Sequence, residues 1–323
     1  MANAQEELLK VNDLVMYYQT LRGPVKAVDR VSFNLKKGEA LGLVGESGCG
    51  KTSTMLSILR LLPNNAKVIK GEIVFEGRNL LEIPKKEFNE NIRWKKISVI
   101  FQGAMNALHP MMPVGEQITE AILLHEHVSQ KEAFERAGKL LDLVGVGASR
   151  ITRYAHELSG GMKQRCMIAM SLASNPDLVI ADEPTTALDV IISAQVLKMI
   201  KDLQRKLNLS VIVVTHDLSM VAEICEKIAI MYAGKMVENG DIKKVFNSPR
   251  HPYTQGLIGA FPSVLGPKKV LKSIPGSPPD LLDPPKGCSF HPRCPYAMEV
   301  CRKEEPRYTK VEEGWVVTCH LYG

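Results

Sequence analysis

Gly45-Glu-Ser-Gly-Cys-Gly50-Lys51-Thr52 spaces its glycines just ahead of a lysine and a hydroxyl. Glycines let successive backbone N–H groups close on an anion, and a helix opening behind them adds positive potential. A lysine so placed reaches the outer phosphates of a nucleoside triphosphate, while the threonine hydroxyl can ligate Mg²⁺. Glu46, Ser47, Gly48, Cys49 and Ser53 complete the loop and the first helical turn. A second run, Leu178-Val-Ile-Ala-Asp182-Glu183, puts two carboxylates at the end of four apolar residues. Buried strands often end in surface acids; downstream of a phosphate loop, Asp182 would enter the Mg²⁺ shell and Glu183 would orient and polarise an attacking water. The chemistry implied is hydrolysis of a phosphoanhydride.

These groups need strands to carry them. Apolar runs rich in Val and Ile at 40–44, 97–101, 178–181 and 210–214 alternate with helical segments, a pattern of buried parallel strands in an α/β domain. The phosphate loop follows the first run and opens the helical TSTMLSILRLL. Residues 103–176 read as a helical subdomain, with Ser129 and Glu132 forming a capping box ahead of KEAFERAGKLLDLV. Beyond about residue 248 seven prolines from Pro262 to Pro285 mark an irregular wrap, preceded by a helical face of Tyr253, Leu257, Ile258 and Phe261. The division expected is 1–248 for the nucleotide-binding domain and 249–323 for a C-terminal extension.

At 323 residues, 45% hydrophobic and 24% charged, the composition is that of a globular protein. No apolar stretch is long enough to span a membrane and no secretion signal opens the chain, so a cytoplasmic location is expected. A net charge of +6 is modest for this length and could suit an anionic membrane surface, a nucleotide or neither.

Leu158-Ser159-Gly160-Gly161-Met162-Lys163-Gln164 has the chemistry of a capped helix N-terminus open to an anion. It resembles the signature motif of ATP-binding-cassette (ABC) ATPases. That resemblance implies a P-loop α/β fold with a helical subdomain, and a head-to-tail dimer in which Ser159, Gly160 and Gly161 meet the γ-phosphate held by the partner's loop. By the same likeness Gln102 is the Q-loop glutamine touching Mg²⁺ and water. Thr186-Ala-Leu-Asp189 is the D-loop, His216 the switch histidine, and Tyr18 or, equally, Tyr17 the aromatic that stacks on adenine. Lys51, Gln102, Glu183 and His216 are then the catalytic set. FQGAMNALHPMMPVGEQI, GGMKQRCMIAM, HPYTQGL and CSFHPRCPYAMEVC narrow the resemblance to ATPases of the oligopeptide and dipeptide importers. The chain departs from them at Gly103-Ala104, Cys49 and Thr186 without losing a catalytic group.

The likeness further implies a peripheral subunit on the cytoplasmic face of the membrane. It would work on two permease subunits with a second, similar ATPase as heterodimer partner, and indirectly with an extracytoplasmic peptide-binding protein. Nickel or a sugar is an alternative cargo, and a soluble DNA-repair ATPase an alternative class; with no long coiled-coil insertion and no second cassette, no nucleic-acid partner is expected. Glu183 and His216 argue against a non-hydrolysing cassette.

Cys288, Cys294, Cys301 and Cys319 offer four thiols in one terminal segment. Thiolates suit zinc or an iron–sulfur centre; the wide gaps fit zinc poorly, His291 and His320 keep it open, and unliganded thiols or a disulfide are the third reading. The resemblance implies a structural 4Fe–4S cluster. Residues 249–323 are expected to bury too little apolar surface to fold without such a crosslink, and ATP binding is expected to survive its loss. Cys166 and Cys225 read as core. Cys49, beside Lys51 and the loop N–H groups, is expected to favour thiolate.

Overall fold

The computed structural model describes residues 6–103, 107–260 and 274–323. Along the chain run β1 (Glu7–Thr20), β2 (Gly23–Lys36), β3 (Ala40–Val44), α1 (Lys51–Ile58), β4 (Ala66–Phe75), β5 (Arg78–Asn79), α2 (Lys85–Asn91) and β6 (Ile97–Ile100). Next come α3 (Val114–His125), α4 (Gln130–Leu143), α5 (Gly160–Ser171), β7 (Leu178–Asp182), α6 (Val190–Leu207), β8 (Ser210–Thr215) and α7 (Leu218–Ile224). The last are β9 (Lys227–Tyr232), β10 (Lys235–Asp241), α8 (Ile242–Asn247), α9 (Pro252–Gly259), α10 (Glu299–Lys303), β11 (Tyr308–Glu312) and β12 (Trp315–Thr318). Ala104, Phe261 and the 262–273 part of the proline-rich stretch lie outside the described residues.

Two compact units emerge, one built of 37–40 and 82–213, the other of 6–36, 41–81 and 214–323. In the first, β6 pairs in parallel with β7, Ile97 opposite Leu178, and β8 flanks β7. All three strands are buried along their length, which is why each reads as an unbroken apolar run. Helix α4 starts where its cap allows, the Ser129 hydroxyl accepting from the Glu132 N–H at 3.2 Å. It buries Ala133, Ala137, Gly138 and Leu141 along one stripe. Helix α6 stops at Asn208, whose φ of 50° is left-handed, after Arg205 and Lys206 have placed positive charge in its last turn. Gly38 ties into this unit by donating to the Ser210 hydroxyl at 2.9 Å and accepting from Gln204 Nε2 at 3.0 Å.

The second unit holds an antiparallel sheet, β2-β1-β4-β5, and a run of strands in the order β11-β12-β10-β9-β3. There β3 and β9 are parallel, while β10 pairs antiparallel with β9 and with β12. The terminal hairpin thereby joins the sheet, Glu238 lying opposite Val317.

Within the second unit, residues 249–323 bury apolar side chains against the rest of the fold. Tyr253, Phe290, Trp315 and Val317 are all buried. The Tyr232, Tyr253 and Phe290 rings pack together, with centroids 4.6, 5.1 and 5.4 Å apart. Beneath them the buried Glu238 carboxylate accepts from the Arg250 N–H (2.9 Å), the His251 N–H (2.9 Å) and Trp315 Nε1 (3.0 Å). A buried charge is tolerable only when it is bonded in this way. The extension is held by a sheet edge, an aromatic cluster and one carboxylate, whose members are too far apart in sequence to show as a period.

Candidate nucleotide site

The second unit carries the phosphate loop. β3 ends at Val44, and the turn 45–50 leads into α1 with Lys51 as its first residue. Lys51 is buried, and its Nζ donates to the carbonyls of Gly45 at 2.8 Å and Glu46 at 3.0 Å. The loop lies hard against neighbouring backbone: Gly50 has φ of 103°, and a Cβ there would sit 2.0 Å from the Ala27 carbonyl oxygen. Only glycine fits such a turn. Ser47, Gly48 and Thr52 are exposed. Tyr18, half-buried on β1, places its hydroxyl 3.2 Å from Ser53 Oγ in α1. Tyr17 looks elsewhere, toward Asp29, Arg30 and Glu305, with burial raising its hydroxyl above the usual range. His216 is exposed in the turn after β8, where the next residue, Asp217, caps α7 through Ser219 N–H at 2.8 Å.

The first unit carries the acids. Asp182 is buried at the end of β7. Glu183 follows with φ of 46°, a left-handed conformation that a non-glycine residue holds at a cost and that marks functional turns. Its Oε2 accepts from Gln102 Nε2 at 2.9 Å and from the Thr186 hydroxyl at 3.0 Å. Asp189 caps α6 by accepting from the Ile192 N–H at 2.9 Å. Ser159 caps α5 through Met162 N–H at 3.4 Å, with Gly160 exposed beside it. Gly161 faces α6 so closely that a Cβ would lie 2.6 Å from Ile192 Cγ2. Three groupings result: Gln102 with Glu183 and Thr186; Ser159 and Gly161 against the α6 turn that Asp189 caps; and Lys51 with Gly45 and Glu46.

Residues 28–186 match the ABC transporter family, and residues 237–301 match the oligopeptide/dipeptide transporter C-terminal region. Over 318 residues the chain is 48% identical to the oligopeptide transport ATP-binding protein OppD of Bacillus subtilis, covering 97% of this chain and 88% of that one. The chain belongs to the ABC transporter ATPases. It is 47% identical to the dipeptide transport ATP-binding protein DppD of the same bacterium, covering 98% of this chain and 95% of that one. Among solved structures, the ATP-binding cassette MJ0796, dimeric after hydrolysis and bound to ADP and Pi, aligns with TM-score 0.64 at 27% identity. That alignment covers 73% of this chain and 99% of the cassette. CbiO1 of Clostridium perfringens, part of the ABC transporter complex cbiONQ, aligns with TM-score 0.66 at 26% identity, over 76% of this chain and 92% of that one. The chain is therefore an ATP-hydrolysing subunit on an α/β P-loop scaffold.

One expectation for this ABC ATPase needs correcting. Cys49 is buried, and burial pushes its thiol up despite the Lys51 charge, so it is no thiolate. Cys166, pushed up to about 12, and Cys225 are core residues. For the terminal thiols, no group of three or more His, Cys, Asp or Glu among the described residues is placed to hold a metal ion. The Cys288 N–H donates to the Cys301 carbonyl at 2.8 Å. The thiols do sense one another: burial and the neighbouring cysteines push Cys288 up to about 11 and raise Cys294 and Cys319.

Sequence reasoning missed the partners of Glu46. Its N–H donates to the Tyr253 hydroxyl at 2.9 Å, and its carboxylate takes a fork of two bonds from Arg293, 2.6 and 2.9 Å long. Both partners belong to the extension. They sit in HPYTQGL and CSFHPRC, yet no spacing rule links either to residue 46.

Proposed function

We propose that this ATPase powers import of di- or oligopeptides, working at the cytoplasmic face of the membrane on two permease subunits. A second, similar ATPase completes its dimer, and an extracytoplasmic binding protein delivers the peptide. The observation that carries the hydrolytic part is the Glu183 carboxylate, fixed by Gln102 and Thr186 directly after the buried Asp182. A carboxylate held by two donors is aimed, and aim is what a water-orienting group needs. Lys51, Gly45, Glu46, Ser47, Gly48, Cys49, Gly50, Thr52 and Ser53 would cradle ATP; Tyr18 is favoured over Tyr17 for adenine because it faces α1. His216 would steady the γ-phosphate, with Ser159, Gly160, Gly161 and Asp189 serving the partner's site. By the family likeness Asp182, Thr52 and Gln102 would each offer an oxygen to Mg²⁺, which would neutralise charge on the phosphates. The peptide part is supported by the likeness of the whole chain, tail included, to named peptide importers.

For the four terminal thiols the 4Fe–4S reading is supported by their grouping in one terminal segment and by the family likeness, while no group among the described residues is placed to hold an ion. No step of hydrolysis runs through it. About four iron and four sulfide per chain after anaerobic purification is the expected result, and iron-free protein with a folded tail removes the reading.

Peptide uptake by the reconstituted transporter tests the function. Glu183→Gln should retain ATP binding and lower phosphate release and uptake together by about 10²–10⁴-fold. Undiminished hydrolysis would release Glu183 from its role; ATP-driven uptake of nickel or sugar in place of peptide would redirect the cargo.

A further inference from the structure

The phosphate loop is held at one residue by the C-terminal extension, and the hold is of an uncommon kind. Glu46 brings a negative charge into a loop that must receive a polyanion. Unpaired, that carboxylate would repel the phosphates. Arg293 answers it with a two-bond fork while its own side chain is almost wholly buried, at 5% exposure against 27% for Glu46. The guanidinium is fixed from behind by the Pro275 carbonyl, which accepts from Nε at 2.8 Å, and by the Tyr232 hydroxyl at 3.3 Å. Tyr253, fully buried, takes the Glu46 N–H. Thus both polar ends of Glu46, amide and carboxylate, are bound by residues beyond 249, and neither is left to seek its own arrangement.

We infer that Arg293 and Tyr253 are positioning residues for ATP: through Glu46 they hold the phosphate loop in its receiving shape and cancel the charge it would turn on the phosphates. The extension is then part of the nucleotide site. The inference rests on the hydrolytic reading of the chain and is independent of the cargo.

Arg293 forks Glu46 from a fixed plane, and lysine cannot reproduce that. Removing the guanidinium strands Glu46 beside the phosphates; removing both charges strands neither. Equilibrium binding of a fluorescent ATP analogue to the folded full chain, together with KM and kcat for ATP, reads this out. Arg293→Gln should weaken binding about ten- to a hundredfold and raise KM in step, leaving kcat within about twofold. Arg293→Lys should recover only part of the loss. Glu46→Gln combined with Arg293→Gln should bind ATP more tightly than Arg293→Gln alone, a coupling that independent effects would not give. Tyr253→Phe keeps the ring and removes only the hydroxyl, so it decides the question if Arg293→Gln does not fold; a severalfold weaker affinity is expected. Unchanged affinity in folded Tyr253→Phe or Arg293→Gln overturns the inference. So does a fall in kcat with affinity untouched, or a double variant no tighter than Arg293→Gln.

Discussion

One oxygen of Glu183, Oε2, takes hydrogen bonds from both Gln102 and Thr186, so the carboxylate's direction is fixed by groups on either side of it in sequence. Thr186 had read as a departure from its family, yet its hydroxyl supplies one of the two bonds. Thr186→Val keeps the shape and deletes that donor. Its kcat should fall severalfold, consistent with about 1 kcal/mol of lost orientation, with ATP affinity unchanged; steady-state phosphate release at saturating ATP measures it. At this scale the sequence was legible wherever the chemistry sits in a contiguous run: the loop ending at Lys51, the acids at 182 and 183, the cap at Ser159. It was silent on Arg293, because a side chain that crosses the fold to reach residue 46 leaves no local pattern.

Helices α5 and α6 meet without room to spare at Gly161. An alanine there would put a methyl group 2.6 Å from Ile192 Cγ2, a methyl on a β-branched side chain that is stiff at χ1. Gly161→Ala should therefore push the two helices apart, at about 1–3 kcal/mol in a denaturant melt, and Ile192→Ala in the same chain should restore part of it. Among elements, the fully buried strands β3, β6, β7 and β8 and the capped helix α4 were readable, since continuous apolar runs and a Ser-x-x-Glu cap are short-range signals. The long pair β1 and β2 was not. Register shifts between Val11, Leu14, Met16 and Tyr18 interrupt its alternation, so the period of two that betrays a half-buried strand is broken. The hairpin of β11 and β12 was missed for another reason: β12 pairs with β10, which lies far earlier in the chain, as Asn239 opposite Val316 illustrates.

The second unit encloses one histidine that must stay neutral to remain buried. His251 is fully enclosed, its Nδ1 accepts from the Tyr253 N–H at 3.0 Å, and burial lowers it from 6.5 to about 3. Below about pH 6.5 the unfolded chain takes up a proton on this ring that the folded chain refuses. Stability from this site is thus complete above that pH and drains away as pH falls toward about 3, by about 1.4 kcal/mol at pH 5.5. Comparing denaturant midpoints of wild type and His251→Asn at pH 7.5 and 5.5 checks it. The asparagine can still cap α9, and its acid slope should be shallower. An equal slope in the two proteins would assign the acid sensitivity elsewhere.

The pairing of β10 with β12 also bears on how the protein is made. A ribosome delivers Glu238 long before Trp315, so for the interval between them one flank of β10 is a bare row of amides and carbonyls, and the carboxylate beside it awaits its indole. Bare strand edges recruit other chains. Synthesis arrested or cut before residue 308 should give a polypeptide with its phosphate loop intact in sequence that nonetheless sediments with the insoluble fraction. Supplying residues 308–323 as a separate peptide during refolding should return part of it to solution, and a truncated chain that stays monodisperse without the peptide would count against the nascent edge as a hazard.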